Sequence, residues 1–205
     1  MKCPHCLVSI HVNFTYQTLN EDRKGSWYIN QAVCPNCKNN IFSLENGNNT
    51  FLIYPKSGNR PSAPTEVPPH IAEDFNEASL IISDSPKASA ALSRRCLQTI
   101  LREQDKIKKG NLNSEIDQAL ELFPSYIADA IDAVRHIGNF AAHPIKSTST
   151  GEIVNVEAGE AEWLLDVLEQ LFDFCYIQPK LLESKREALN TKLKDMGKPE
   201  LKTKA

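Results

Sequence analysis

Two pairs of cysteines carry the clearest chemistry in this sequence. Cys3 and Cys6 form one Cys-x-x-Cys run, Cys-Pro-His-Cys, and Cys34 and Cys37 form a second, Cys-Pro-Asn-Cys. Each turn presents two thiolates on one side of the chain. Together they supply the four soft ligands of a tetrahedral zinc ion, with Zn–S bonds of about 2.3 Å. Four thiolates close the coordination shell, so the expected role is structural rather than catalytic. His5 and His11 are nearby nitrogen donors, but the cysteines leave no position for them. So small a β unit has little core, and metal binding would contribute about 10–16 kcal/mol to its folding. A thioredoxin-like redox role fits less well, since that chemistry uses a single Cys-x-x-Cys.

The elements that must bring these turns together read as β structure. Leu7 to Thr18 alternates, with Val8, Ile10, Val12, Phe14 and Tyr16 in one phase. This predicts a half-buried strand. A polar turn is expected at Asn20–Gly25, a second strand at Ser26–Val33, a turn at Asn46–Asn49 and a last strand at Thr50–Tyr54. Prolines 55, 61, 64, 68 and 69 then mark an extended linker.

Beyond Pro69 the apolar spacing changes to that of helices. Ile71, Phe75, Ala78 and Ile82 mark the first, and Leu92, Cys96, Leu97, Ile100 and Leu101 the second, with Pro86 in its first turn. Ser114-Glu115-Ile116-Asp117 reads as a capping box opening a short helix. The next helix starts near Pro124, carries Ile127, Ile131, Val134, Gly138 and Ala141 on its core side, and stops at His143, because Pro144 disfavours helical geometry there. A long helix follows with Ala161, Leu164, Leu165, Leu168, Leu171 and Phe172. A charged tail runs from Lys180. The expected fold class is therefore α+β multidomain: a zinc ribbon over 1–54, a Pro-rich linker over 55–69, an all-α bundle over 70–178 and a charged C-terminal helix or tail over 179–205.

Charge is unevenly spread. Residues 1–65 carry a net +3, 66–178 a net −10 and 179–205 a net +4. Affinity for nucleic acid comes mainly from Lys and Arg against phosphates, so the acidic middle excludes a broad phosphate-binding face there. No run of 18 or more apolar residues is present, which excludes a spanning helix. The N-terminus lacks the apolar segment of a signal peptide. A cytoplasmic, reducing location is the expectation, with thiols or metal ligands in place of disulfides.

A second group of chemically capable residues lies on the helix before Pro144. Arg135, Asn139 and His143 are spaced i, i+4, i+8 and form one row away from the core side. The run Arg135-His136-Ile137-Gly138-Asn139-Phe140-Ala141-Ala142-His143-Pro144 resembles the C-terminal motif of a HEPN-like bacterial family of unknown function. Ala88–Leu101 with its Arg94-Arg95 pair, and the closing Tyr176-Ile177-Gln178-Pro179, fit the same family. The resemblance covers about residues 66–178, and N-terminal zinc knuckles are a common companion of it.

This resemblance implies an often dimeric helical bundle. It also implies a role in prokaryotic defence or toxin systems as a metal-independent RNA endonuclease. His143 would then act as general acid or base at a ribose 2′-hydroxyl, Arg135 would stabilise charge developing on phosphorus, and Asn139 would orient the phosphate. The family signature places Arg next to the polar residue, where this chain has Gly138; Arg135 stands one turn earlier. The alternative expectation is a non-catalytic adaptor that binds a partner protein or nucleic acid through the ribbon and the helical dimer. In that case Arg135 pairs with Asp132 or another carboxylate. Arg94 and Arg95 are expected to pair with Glu73, Asp74 or Glu77, and Cys96 and Cys175 to be buried thiols. Trp163, Val167 and Phe174 form a second apolar row on the closing helix, which predicts a homodimer.

Overall fold

The computed structural model describes residues 1–56, 60–142, 149 and 155–202, with residues 138–142 described as helix backbone. Two compact units are present: Met1–Pro61 with Ser79–Ser83, and Ser62–Ala78 with Asp84–Ala205.

The first unit is built on a four-stranded antiparallel sheet in the order β1-β2-β3-β4: β1 Thr15–Asp22, β2 Gly25–Val33, β3 Asn40–Asn46 and β4 Asn49–Tyr54. Register joins Tyr16 to Asn30, Asn30 to Ser43 and Ser43 to Leu52 across the sheet. β2 and β4 fall where strands are expected, and β3 is an additional strand between them that the sequence reading leaves out. The first strand departs from expectation. The half-buried strand expected from Leu7 is instead a largely irregular segment held by a single bridge between Lys2 and Ser9. Strand pairing starts only at Thr15, every residue of β1 is exposed, and the turn narrows to Arg23-Lys24. The physical reason is that residues 1–10 spend their backbone bonds on one another. The Cys3 N–H donates to the Val8 carbonyl and the Ile10 N–H to the Met1 carbonyl, each at 2.9 Å.

The second unit is helical. Its elements are α1 Pro69–Ile81, α2 Pro86–Arg102, α3 Leu112–Leu122, α4 Ser125–Ala142, α5 Ala158–Phe172 and α6 Gln178–Asp195. α2 packs on α3, α4 and α5, and α4 packs on α3 and α5. The stripes meet as a buried core: Ile71 and Phe75 from α1, Leu97, Ile100 and Leu101 from α2, Ile116 from α3, Ile127 and Ile131 from α4, and Leu164, Leu165 and Phe172 from α5. Phe75 and Phe172 meet edge to face at 5.1 Å. The end of the Pro-rich segment packs here too, with Val67 buried and the Ala63 N–H bonded to Asn76 Oδ1 at 2.8 Å.

Side-chain caps explain the starts of α2 and α3. Ser85 Oγ accepts the Ala88 N–H, with Pro86 opening α2. α3 begins earlier than the capping box at Ser114 suggested. Asn111 is extended and its Oδ1 accepts the Ser114 N–H at 2.9 Å, while Ser114 Oγ turns back to the Asn111 carbonyl. Asparagine is at least as good a cap as serine and lies one turn upstream, so it takes the role.

The C-terminal segment is more ordered than a fraying tail. α5 runs without interruption into a π-helical turn, Asp173–Ile177, and on into α6. Pro179 lacks an N–H and its ring would crowd the carbonyl one α-turn earlier. The wider turn, in which the Gln178 N–H reaches the Asp173 carbonyl, relieves that crowding. α6 has no buried residue. It ends where Gly197 adopts φ 67°, letting the Lys198 N–H return to the Leu193 carbonyl at 2.9 Å.

Candidate functional site

The cysteine turns come together as the spacing required. The four Sγ atoms lie within 4.8 Å of one another, with Cys3–Cys37 at 3.8 Å and Cys6–Cys34 at 3.9 Å. Thiolates bound tetrahedrally at about 2.3 Å sit about 3.8 Å apart, so the spacing of these two pairs suits a metal ion. The two turns repeat one geometry. The Leu7 N–H donates to the Cys3 carbonyl and the Lys38 N–H to the Cys34 carbonyl, both at 2.9 Å. The residue after each second cysteine is left-handed, at φ 57° for Leu7 and 62° for Lys38. In each turn a backbone N–H points at sulfur: His5 to Cys3 at 3.4 Å and Cys37 to Cys34 at 3.5 Å.

These donors prepare the sulfurs for a cation, because bonds to the charged form favour it. The Asn36 side-chain amide, with the Val8 N–H behind it, pulls the Cys6 thiol down to about 6. Burial pushes the Cys3 thiol up to about 11. Cys3 and Cys34 are buried and pack on Ile41. His5 is not a ligand: its Nε2 is bonded to the Asn40 carbonyl at 2.7 Å, and its ring meets Tyr54 edge-on at 5.3 Å.

The row on α4 has a different environment. Arg135 Nη2 donates to Asp117 Oδ1 on α3 at 2.5 Å, and its Nε lies 3.2 Å from Asp132 Oδ1. Its side chain is 22 % exposed and lies against the two carboxylates, while Nε has no hydrogen-bond partner among the described residues. His136, just beyond the row, lies 3.8 Å from the same Asp132. The Asn139 side chain and the whole of His143 lie outside the described residues. Arg95 pairs with Asp74 through both Nε and Nη2, as expected of the helix α2 arginines. Cys96 is buried, donates to the Ile71 carbonyl and is pushed up to about 12 by burial. Cys175 is half-buried rather than buried, and burial with Glu103 nearby pushes it up to about 11. In the second apolar row Val167 is buried, whereas Trp163 and Phe174 are exposed.

Two polar networks escaped the sequence reading. Glu115, counted only as part of a cap, is fully buried. It accepts from Arg102 Nε at 2.8 Å, Gln98 Nε2 at 2.9 Å and the Gly110 N–H at 2.9 Å. Burial alone would raise its pKa; the three donors outweigh that and lower it. Glu103 receives His70 at 2.9 Å and the Tyr176 hydroxyl at 2.7 Å, tying α1, the end of α2 and the π-helical turn together. Three donors gathered around one carboxylate leave no periodic trace. The one usable signal was Gly110 five residues before a glutamate.

Fold and site thus define a β module with a four-cysteine cluster that could hold a metal ion, followed by an acidic helical domain. The chain belongs to the family described as Domain of unknown function (DUF4145), whose model matches residues 76–198. The match runs through α6, beyond the boundary at 178 drawn from the motif. Among curated proteins and among solved structures, none matches the chain. No helix among the described residues is long and apolar enough to cross a membrane.

Proposed function

We propose that this protein is a non-catalytic adaptor, in which a structural zinc ribbon and a HEPN-like helical dimer dock on a partner protein or nucleic acid in a prokaryotic defence system. The observation that carries this reading is the closure of Arg135 by Asp117 and Asp132. An arginine that stabilises a phosphoryl transition state must face the phosphate in a preorganised, open site. Here two carboxylates occupy that position. The run Gly138-Asn139-Phe140-Ala141-Ala142-His143 supports the HEPN-like affiliation. Four thiols in reduced form support a cytoplasmic setting.

Zinc is the metal proposed for the cluster, because four thiolates at tetrahedral spacing suit it and leave no open position for chemistry. Dimerisation has its own support. α6 buries nothing, and leaves Leu182, Leu189 and Met196 exposed on a segment of net +4, beside a helical domain of net −10. An isolated helix of this length is marginal in water, and a second copy supplies both the apolar and the acidic surface it lacks. Light scattering on the eluting protein should give the mass of two chains.

A second reading, a metal-independent ribonuclease using Arg135, Asn139 and His143, is favoured by the shared phase of those residues on α4. It requires substrate phosphate to displace Asp117, whose side chain is 63 % exposed. Incubation of the full protein with single-stranded RNA in EDTA separates the two. The adaptor reading expects no product with a cyclic phosphate end from either the wild type or His143→Ala. Cleavage by the wild type that His143→Ala abolishes would overturn it.

A further inference from the structure

α6 lacks a packing partner in its own bundle. Among the described elements it packs only on the π-helical turn Asp173–Ile177 that leads into it. Its tail folds back along one side: the Leu201 N–H donates to Asn190 Oδ1 and Arg186 Nη2 donates to the Lys202 carbonyl, both at 2.9 Å. That leaves Leu182, Leu189 and Met196 exposed. They stand one heptad apart, a spacing that drifts by only about 20° per step, so they form one apolar stripe. A helix of 18 residues is marginal in water unless such a stripe is covered.

The surface around the π-helical turn has the complementary shape. Two adjoining hollows share Phe174 and Gln104. One, of about 550 Å³, runs past Cys175 and Gln178 to Pro179 and Leu182. The other, of about 300 Å³, reaches Leu122 and Phe123, whose ring meets that of Phe174 at 5.5 Å. Leu122 and Phe174 are exposed at its surface. The first turn of α6 thus forms one wall of an apolar groove, and groove and stripe adjoin each other. α6 cannot fill this groove itself. Leu189 lies well beyond Phe174 on a continuous helix, about 20 Å away along its axis.

We propose that this groove seats the Leu182, Leu189 and Met196 stripe of α6 from a second copy of the chain, each copy giving a stripe and receiving one. The inference rests on the dimer reading and names its interface. A surface that carries both stripe and groove is self-complementary under a two-fold axis, so a single contact covers both stripes and both grooves. A foreign helix would fill the groove and leave α6 bare. With the axis near Leu182, the helical rise sets Leu189 of one copy about 10 Å past it, level with the Phe174–Cys175 turn of the other. Residues 179–205 carry a net +4 and residues 66–178 a net −10, which draws α6 of one copy towards the helical domain of the other. Asp105 and Lys106 on the groove's rim offset each other. The apolar match therefore fixes the seat, and the net charges favour the approach.

Light scattering and photo-crosslinking of the full chain test this together. The wild type is expected at the mass of two chains. Leu189→Lys, at an exposed position, should weaken the dimer about tenfold or more and leave the helical circular dichroism signal unchanged. With p-benzoylphenylalanine in place of Leu189, irradiation should give a two-chain band on a denaturing gel whose adduct maps to Gln104, Leu122 or Phe174. The same group in place of Ser184, on the far side of α6, should give no such band. A two-chain mass with no adduct, with an adduct elsewhere, or undiminished by Leu189→Lys would overturn the groove as the seat and leave the dimer reading standing. A one-chain mass would overturn both. The RNA result is independent of either, so failure of the adaptor reading is read separately.

Discussion

In the ribbon, the buried cluster consists of Cys3, Cys34 and Ile41, with Cys6, Ile10 and Cys37 half-buried around it. In the helical unit, Ile71, Phe75, Leu97, Ile100, Leu101, Ile116, Ile131, Leu164, Leu165 and Phe172 are all fully or almost fully buried. The first unit concentrates its apolar contacts at the four-cysteine cluster; the second distributes them over five helices. Full burial of one Leu, Ile or Phe side chain contributes about 1.5–3 kcal/mol. The helical stripes can therefore offset the entropy of ordering on their own. Ile41 and Ala32 beside two buried cysteines offer far less, and a bound metal is proposed to supply the rest.

The largest effect should come from breaking that difference directly. Chelating the metal, or replacing Cys34 by Ser, should remove about 10–16 kcal/mol of ribbon stability and unfold it. The helical circular dichroism signal from α1–α6 should persist. Loss of both signals together at the same chelator concentration would show that the helical unit depends on the metal as well.

Within the helical unit, the corresponding weak point is polar. Glu115→Ala should cost about 1–3 kcal/mol by urea denaturation, because it leaves the Gln98 amide and the Gly110 N–H without their acceptor, while Arg102, 40 % exposed, can turn to water. The same residue sets an acid limit. Its folded pKa lies below the unfolded value, so its contribution is present above about pH 4.3 and is lost as pH falls through the folded pKa. A stability profile between pH 5 and pH 2, an interval chosen to span the ordinary carboxylate range, should show a decline that Glu115→Gln flattens. An unchanged decline in the variant would place the acid sensitivity elsewhere.

Returning to the ribbon, Lys38 is exposed and left-handed at φ 62°, a conformation that costs a side chain about 1–2 kcal/mol. Lys38→Gly should stabilise the metal-loaded ribbon by about 1 kcal/mol in thermal denaturation, without changing metal content. A loss of stability would mean that the lysine side chain contributes more than its backbone strain removes.

The same contrast explains what could be read in advance. The metal cluster was legible because each Cys-Pro-x-Cys turn is defined by four adjacent residues and needs only to meet its copy. The stripes of α2, α4 and α5 were legible because burial repeats with the helix period. The start of β1 was not. Val8, Ile10, Val12 and Phe14 alternate like a strand, yet Val8 is 45 % and Phe14 39 % exposed, because the local knuckle bonds compete with sheet pairing. α6 falls where a charged helix or tail is expected, but its end depends on a glycine turn that folds Lys198 back, which spacing does not reveal. The Arg135 pairing was foreseen as the alternative to catalysis. Its main partner, Asp117, comes from another helix, and spacing along one helix cannot reveal it.

The central claim is that Arg135 serves the fold rather than a reaction. The most direct test is the stability of Arg135→Gln alone and in combination with Asp117→Asn. At this partly exposed site the ion pair should be worth about 0.5–1 kcal/mol. Arg135→Gln should therefore lower stability by that amount in the wild type and by almost nothing once Asp117→Asn is present. A variant as stable as the wild type or more so, in both backgrounds, would contradict the account and mark Arg135 as a residue held at a cost for chemistry.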